Sequence, residues 1–466
     1  MNDIIDICIC SALNFKLYES LFKENIHIIP KNCFGVFVSV KRSKEQSLKV
    51  WPYDTHGCIG YWDSNYSALN KHTIMNKIIN LSKSSTWEDK RKDYFGDIFK
   101  DSNALYEIDF MMKPLLKINE NGIMSNNKKF NNSQYGIIIV NNQNKATYLP
   151  NVFPNSSWNK IKKDLIQKGN IKDNNYQLYA YKVISLKKKL IDFIKSYREF
   201  IISDFLLLIK QNYKTFVPYE YKNKFIIDKK QYVRNLATIN DILYFNNYLP
   251  NHIINKCLRD LKYYEKIIKS DINSIRQASA FYLLSKKTIH KNDSLNDYIC
   301  KYLYENIHKL EKRFELPEVL IALTVTCPKK TILKKYSEII YSYIKNIKNI
   351  NTDHIFELNW YSKFFYFLYI NKIISLNNTH KLIHDIIINI HKYFEKINID
   401  KLETNYLAVI FETLSTLYIF TEDLNDYIFY IFYLLNKTYV NGLYYFKNNS
   451  ARLDITGHIL NGLILY

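Results

Sequence analysis

Cys33-Phe34-Gly35-Val36-Phe37-Val38-Ser39-Val40 puts Phe34, Val36, Val38 and Val40 at every second position. A period of two is that of a β-strand, and the nearly continuous apolarity predicts a buried one. Outward from this stretch, His56 to Tyr61 reads as a short strand carrying two glycines, and Ala104 to Met111 as another. Tyr135 to Val140 and Ala146 to Leu149 flank Asn141-Asn142-Gln143-Asn144, which predicts a hairpin. Tyr176 to Val183 is a last strand. Spacing of three and four predicts helices over Ile4 to Phe22 and Leu69 to Lys83. Trp158 to Lys168 predicts a third, ended by Gly169 as C-cap. Ser43 to Asp54, polar and holding Pro52, reads as a loop, and Pro150 and Pro154 interrupt regular structure. The first 190 residues therefore form an α+β domain.

After about Ser185 strand signals largely disappear. Helical segments separated by Asn, Asp and Ser clusters follow one another from Ile194–Lys210 to Leu453–Tyr466. Many are apolar on more than one face and must be covered on both sides. Residues 191–466 are thus expected to form an all-α domain, either an open helical-hairpin array or a closed α/α toroid. The tail from Gly442 to Tyr466, with Arg452-Leu453-Asp454 and then Gly457-His458 opening a helix, resembles the closing hairpin of α/α-toroid proteins.

The formal net charge is +21, which ordinarily points to nucleic acid or an anionic surface. Here the lysines are scattered beside Asn and Ile, as an AT-rich genome would write them. Genome bias is the preferred explanation, with a polyanion site second. The densest run, Lys187-Lys188-Lys189, lies at the expected domain junction. The seven cysteines have no framework spacing, which suits reduced thiols in the cytoplasm or the nucleus. Cys8 and Cys10 have no second pair at zinc-ribbon spacing, so neither a metal nor another cofactor is expected. The acidic N-terminus is unlike a signal peptide, and no apolar run reaches membrane-spanning length.

Several strings recur in a familiar order. Gly35 to Val40 is followed by Gly57-Cys58-Ile59-Gly60, Asp89-Lys90-Arg91, Tyr106-Glu107-Ile108-Asp109-Phe110 and Pro114. Then come Tyr135-Gly136-Ile137 and Ala146-Thr147-Tyr148-Leu149-Pro150, Trp158, Leu165 and Lys168-Gly169. Residues 1 to about 190 resemble the AMMECR domain family. The resemblance implies a compact α+β fold with a mixed sheet and a cleft. The family usually has Leu-Arg before Gly-Cys-Ile-Gly, where this chain has Thr55-His56. An always-charged side chain is thereby replaced by one that titrates near neutrality.

Cys58 is the leading candidate for chemistry. A reactive cysteine needs a thiolate, hence nearby positive charge or backbone donors. In an extended segment His56 and Cys58 share a face, Gly57 and Gly60 would let a ligand approach the backbone, and Arg91 could supply charge. The bland alternative is a core cysteine. Asp89, Thr147 and Tyr148 are further candidate ligand contacts; Tyr148 could equally cap the core, and Asp89 and Arg91 could be a surface pair. Glu107 and Asp109 share a strand face and read as a solvated edge or an acid pair. In the helical half, His458 falls four residues after Asp454, so the two could pair as an acid–base unit. The alternative makes Asp454 an N-cap and His458 core. Glu357, Asn359, Trp360 and Glu412 could line a toroid's cavity.

Three expectations follow. The first is a binding or scaffold protein, with a small ligand or protein partner recognised near Cys58 and the helical domain as an interaction unit. The second is an enzyme with Cys58 as nucleophile, helped by His56 or Arg91. The third places catalysis in the toroid with Asp454 and His458.

Overall fold

The computed structural model describes residues 4–15, 26–43, 55–94, 97–141, 144–153, 156–172, 175–270, 274–287, 293–310, 315–345, 352–446 and 450–466. The Phe22 end of the first expected helix, the loop from 44 to 54, Pro154 and the centre of the 141–144 turn lie outside the described residues. The chain forms two compact units, Met1–Ser196 and Tyr197–Tyr466.

The first unit runs α1 (Ile4–Ala12), β1 (Cys33–Lys41), β2 (Thr55–Trp62), α2 (Lys71–Trp87), β3 (Leu105–Ile118), β4 (Gly136–Val140), β5 (Lys145–Tyr148), α3 (Trp158–Lys168) and β6 (Gln177–Lys189). The strands make one sheet in the order β2-β1-β3-β6-β4-β5. Every pairing is antiparallel, in place of the mixed sheet that the resemblance implied. Alternation marks where strands are, whereas direction is set by the connections. Although α2 lies between β2 and β3, β3 lands beside β1 and runs against it, so no parallel crossover unit forms.

One face of the sheet is core. Val36, Val38 and Val40 stand opposite Phe110, Ile108 and Tyr106, all 0% exposed, beneath α1 and α2. Burying each such side chain contributes roughly 1.5–3 kcal/mol before chain entropy is counted. The Tyr106 hydroxyl reaches Thr86 of α2 at 3.0 Å. Asn70 caps α2, its side chain accepting from the Thr73 N–H at 2.7 Å. The other face carries Ser39, Glu107 and Asp109.

The second unit begins in α4 (Leu190–Asn212), within which the division falls, and continues with β7 (Glu220–Lys222), β8 (Phe225–Ile226), α5 (Tyr232–Tyr244), α6 (Asn251–Ser270), α7 (Ile275–Lys287), α8 (Asp293–Asn306), α9 (Leu316–Thr326) and α10 (Lys330–Lys345). Then come α11 (Thr352–Ile370), α12 (Leu376–Lys396), α13 (Thr404–Tyr418), α14 (Asn425–Asn436), β9 (Tyr439–Val440), β10 (Leu443–Tyr444), β11 (Ser450–Arg452) and α15 (Leu453–Leu465). Every second helix is an inner one. α5 packs on α7, α7 on α9, α9 on α11, α11 on α13, α13 on α15, and α15 returns to α5. The ring is closed, which decides between array and toroid.

The sequence explains the division of labour. Inner helices such as α9 and α13 are buried almost all round and are correspondingly apolar. Outer helices are amphipathic: in α10, Leu333 and Tyr336 face inward while Lys334 and Lys335 are exposed. Many lysines of the basic composition therefore sit on solvated outer faces. Short strands after residue 200 were not foreseen. β11 pairs with β7, and β7 with β8, in a small sheet of their own. Asn441 and Gly442, with φ of 51° and 83°, make the two-residue turn between β9 and β10. Among the described residues no helix is long and apolar enough to cross a membrane.

Candidate functional site

Cys58 lies on β2 opposite Ser39, whose hydroxyl donates to the sulfur at 3.1 Å. The Cys58 N–H donates to Asp89 at 2.9 Å. Arg91 grips Asp89 through Nε at 2.9 Å and Nη2 at 2.5 Å, and donates to the Cys58 carbonyl at 3.1 Å, not to the sulfur. Burial raises the thiol above its ordinary value, and the Ser39 bond and Arg91 only partly offset that. The environment keeps the sulfur protonated, the opposite of what a cysteine nucleophile needs.

His56 does not join Cys58. The β1–β2 register shifts between Val40 and Lys41, and His56 is the extra residue of that bulge. Its Nε2 lies 3.2 Å from the Thr86 carbonyl of α2, and burial pushes it down to about 4. The two glycines have packing reasons. A Cβ on Gly57 would come within 1.8 Å of the Ser85 carbonyl, and one on Gly60 within 2.2 Å of the Phe37 ring. The space expected for a ligand is filled by the protein itself. Thr147 bonds the Ile137 carbonyl at 2.9 Å and the Tyr181 hydroxyl at 2.8 Å, while the Tyr148 hydroxyl reaches the Asp164 carbonyl at 3.5 Å. Tyr148 thus caps the core.

The polar sheet face is internally paired. Glu107 binds both Lys41 and Lys187, which hold it below its ordinary value against the larger opposing effect of burial taken alone. Asp109 accepts from Ser185 at 2.5 Å and is raised to about 6 by burial, then by Glu107. Lys188 bonds Asp6 at 2.8 Å and Lys189 reaches Asn103 at 3.5 Å. The lysine run is spent inside its own unit.

The chemistry-bearing hollow is in the second unit. A cavity of about 540 Å³ lies within the ring and takes residues from all six inner helices. Each helix presents one stripe at helical spacing. On α11 the stripe is Phe356, Asn359, Trp360, Lys363, Phe367 and Ile370; on α15 it is Asp454, His458, Asn461 and Leu465. α5 adds Arg234 and Asp241, α7 adds Arg276, α9 adds Glu318 and α13 adds Glu412.

Glu412, 0% exposed, is the hub. Its Oε2 is 2.7 Å from His458 Nδ1 and accepts from Asn359 Nδ2 at 3.1 Å. Lys363 Nζ lies 2.6 Å from Oε1 as an ion pair. Burial pushes this carboxyl up, but Lys363 and then His458 more than offset it and hold it at about 2. Asp241 behaves oppositely. Burial first and Glu412 second raise it to about 7. Asn461 Nδ2 donates to it at 3.3 Å, and a Cβ on Gly457 would stand 2.0 Å from its Oδ2. Gly457 therefore leaves room for the carboxyl one residue before His458.

Asp454 and His458 both line the cavity but are not partners of each other. Arg452 holds Asp454 with two bonds of 3.0 Å, and Arg234 Nε lies 3.5 Å away. The i, i+4 pairing expected within α15 loses to two guanidinium groups and to Glu412. Asn359, Trp360 and Glu412 line the cavity as expected, whereas Glu357 points elsewhere and accepts from the Tyr343 hydroxyl at 2.7 Å. Two residues along a helix is a turn of about 200°, which puts Glu357 opposite Asn359. Asp241 and Lys363 were missed. Lys363 follows Trp360 by three and Asn359 by four, a signal the sequence carried. Among the described residues no group of His, Cys, Asp and Glu could hold a metal ion.

Residues 10–186 match the AMMECR1 family model. No curated protein matches the chain. Among solved structures, the chain is similar to the uncharacterized protein PH0010 from Pyrococcus horikoshii, with 14% identity and a TM-score of 0.28, over 40% of this chain and 89% of that one. The N-terminal unit of this protein is an AMMECR1 domain.

Proposed function

We propose that the helical unit is an acid–base catalyst acting on a small, hydroxyl-rich ring compound, a carbohydrate by class, bound in the central cavity. The observation that carries this is the 2.7 Å contact between Glu412 Oε2 and His458 Nδ1 inside a cavity of about 540 Å³. A buried carboxylate on Nδ1 fixes the imidazole's tautomer and orientation and stabilises the imidazolium that forms when Nε2 takes a proton. Lys363 and Asn359 hold Glu412 in place, so it serves as the positioning residue and His458 as the base. Asp241, raised to about 7, carries a proton at neutral pH and suits the acid.

The walls favour a sugar. Phe356, Trp360 and Phe367 offer flat faces from one helix, and Asn240 and Asn461 offer amides for hydroxyl groups. The volume lies within the usual range of small-molecule sites, roughly 300–1,000 Å³. Thiol catalysis at Cys58 is not carried forward, because burial raises that thiol and its neighbours bond its backbone. For the AMMECR1 domain a binding role remains the better proposal.

The test is incubation of the full chain with a panel of neutral and acidic mono- and oligosaccharides in D2O, followed by NMR for turnover or carbon-bound deuterium. His458→Ala and Glu412→Gln should each lower the rate by about 10²–10⁴. A wild-type protein that neither binds nor alters any of them, or variants as active as wild type, would overturn the proposal.

A further inference from the structure

A second, smaller pocket adjoins the central cavity. It has a volume of about 310 Å³ and shares Arg234 and Arg276 with the larger one. Every charged residue in its lining is cationic: Lys230, Arg234 and Arg276, beside the amides of Gln231 and Gln277. Carboxylates near these cations are too few to neutralise them. Arg276 Nε donates to Glu318 at 2.7 Å. Arg234 shares Asp454 with Arg452, and Arg452 takes both carboxylate oxygens at 3.0 Å while Arg234 stands at 3.5 Å. Two acids, Glu318 and Asp454, thus serve Lys230, Arg234, Arg276 and Arg452. Arg234 is also braced, its Nη1 donating to the Tyr219 hydroxyl at 2.9 Å and to Gln231 at 3.2 Å. Fixed, partly exposed guanidinium groups with surplus charge are the standard means of holding an oxyanion.

We propose that this pocket is an anion subsite that selects substrates bearing a carboxylate or phosphate group, with Arg234 and Arg276 as its principal contacts. The inference rests on the acid–base reading of the central cavity, since the anion would be an appendage of the molecule held there.

The experiment is calorimetric titration of the full chain with glucose, glucuronate and glucose 6-phosphate. The anionic sugars should bind about tenfold or more tightly than glucose, and that advantage should shrink as salt rises from about 0.05 to about 0.5 M. Arg234→Gln and Arg276→Gln should each lower the ratio of anion to glucose affinity about tenfold, and Lys301→Gln, on an exposed side chain of α8, should not. A preference for glucuronate assigns a planar carboxylate, and one for glucose 6-phosphate a phosphate; both support the subsite. The wild-type salt dependence reads the charge even if an arginine variant fails to fold. Equal affinities for all three sugars, or an anion preference indifferent to salt, would overturn the subsite while leaving His458-dependent catalysis standing. Failure of every sugar to bind would remove both.

Discussion

Replacing Asp241 by Asn should make the helical ring more stable at pH 8 than the natural residue does. Burial, and next the charge of Glu412, push the Asp241 carboxyl from 3.8 to about 7, while His458, Asn461 and Lys363 pull the other way. A raised value means that the folded ring keeps a proton which the unfolded chain has already lost. Stability from this group is therefore fully present below about 3.8 and is lost as pH rises to about 7. The interval is about three pH units, and at roughly 1.4 kcal/mol each the loss is on the order of 4 kcal/mol. Asn cannot ionise and keeps nearly the shape of the protonated acid. The variant should gain up to about 4 kcal/mol at pH 8, and the gain should vanish towards pH 4. Hydrogen exchange followed by mass spectrometry reads this locally, on peptides from α13 and α15, so unfolding of the AMMECR1 domain does not intrude. The same variant should lose about 10²-fold in turnover for want of the acid. If wild type and variant keep parallel opening free energies from pH 4 to pH 8, the assignment of a buried, protonated Asp241 is wrong.

Lys363→Met leaves the buried Glu412 carboxylate short of its nearest cation and should cost about 3–5 kcal/mol, much of it recovered by adding Glu412→Leu; exchange protection of α11 and α13 checks this. Gly457→Ala drives a methyl into the Asp241 carboxyl, 2.0 Å away, and should cost about 1–3 kcal/mol with loss of turnover, seen by the same exchange measurement and the sugar assay. Cys58 should react slowly with maleimide at pH 7 and appreciably only well above its ordinary thiol range, as followed by peptide mass spectrometry; rapid labelling at pH 7 would contradict the raised thiol.

Much of the architecture was legible because it is written in short periods. Alternation placed the strands around Val36 and Ile138, and spacing placed α3 at Trp158–Lys168 to the residue. Polar residues embedded in apolar helices pointed to Asn359, Glu412, Asp454 and His458, all of which line the cavity. Their partners were not legible. The His458–Glu412 bond joins helices 46 residues apart in sequence, and the Asn461–Asp241 bond joins residues 220 apart. Local spacing favoured Asp454 for His458, and only ring closure brings in the stronger competitors. Around Cys58 the error was also one of register. A bulge inserts a residue without disturbing the alternation on either side, so His56 looked aligned with Cys58 when it is not. Gly57 and Gly60 looked permissive for a ligand because sequence cannot show that Ser85 and Phe37 already fill the gaps.

The ring has a seam. α15 closes against α5, and β11 clips onto β7, so segments near residues 220–244 and 450–465 meet only when the circle is complete. The acid comes from one side of that seam and the base from the other. During synthesis the preceding helices can stack in turn, yet none of those intermediates owns a working centre. A nick or early stop ahead of Ser450 would leave most of the helical mass intact and chemically mute, so competence is gained in a single step by whichever molecules finish the loop.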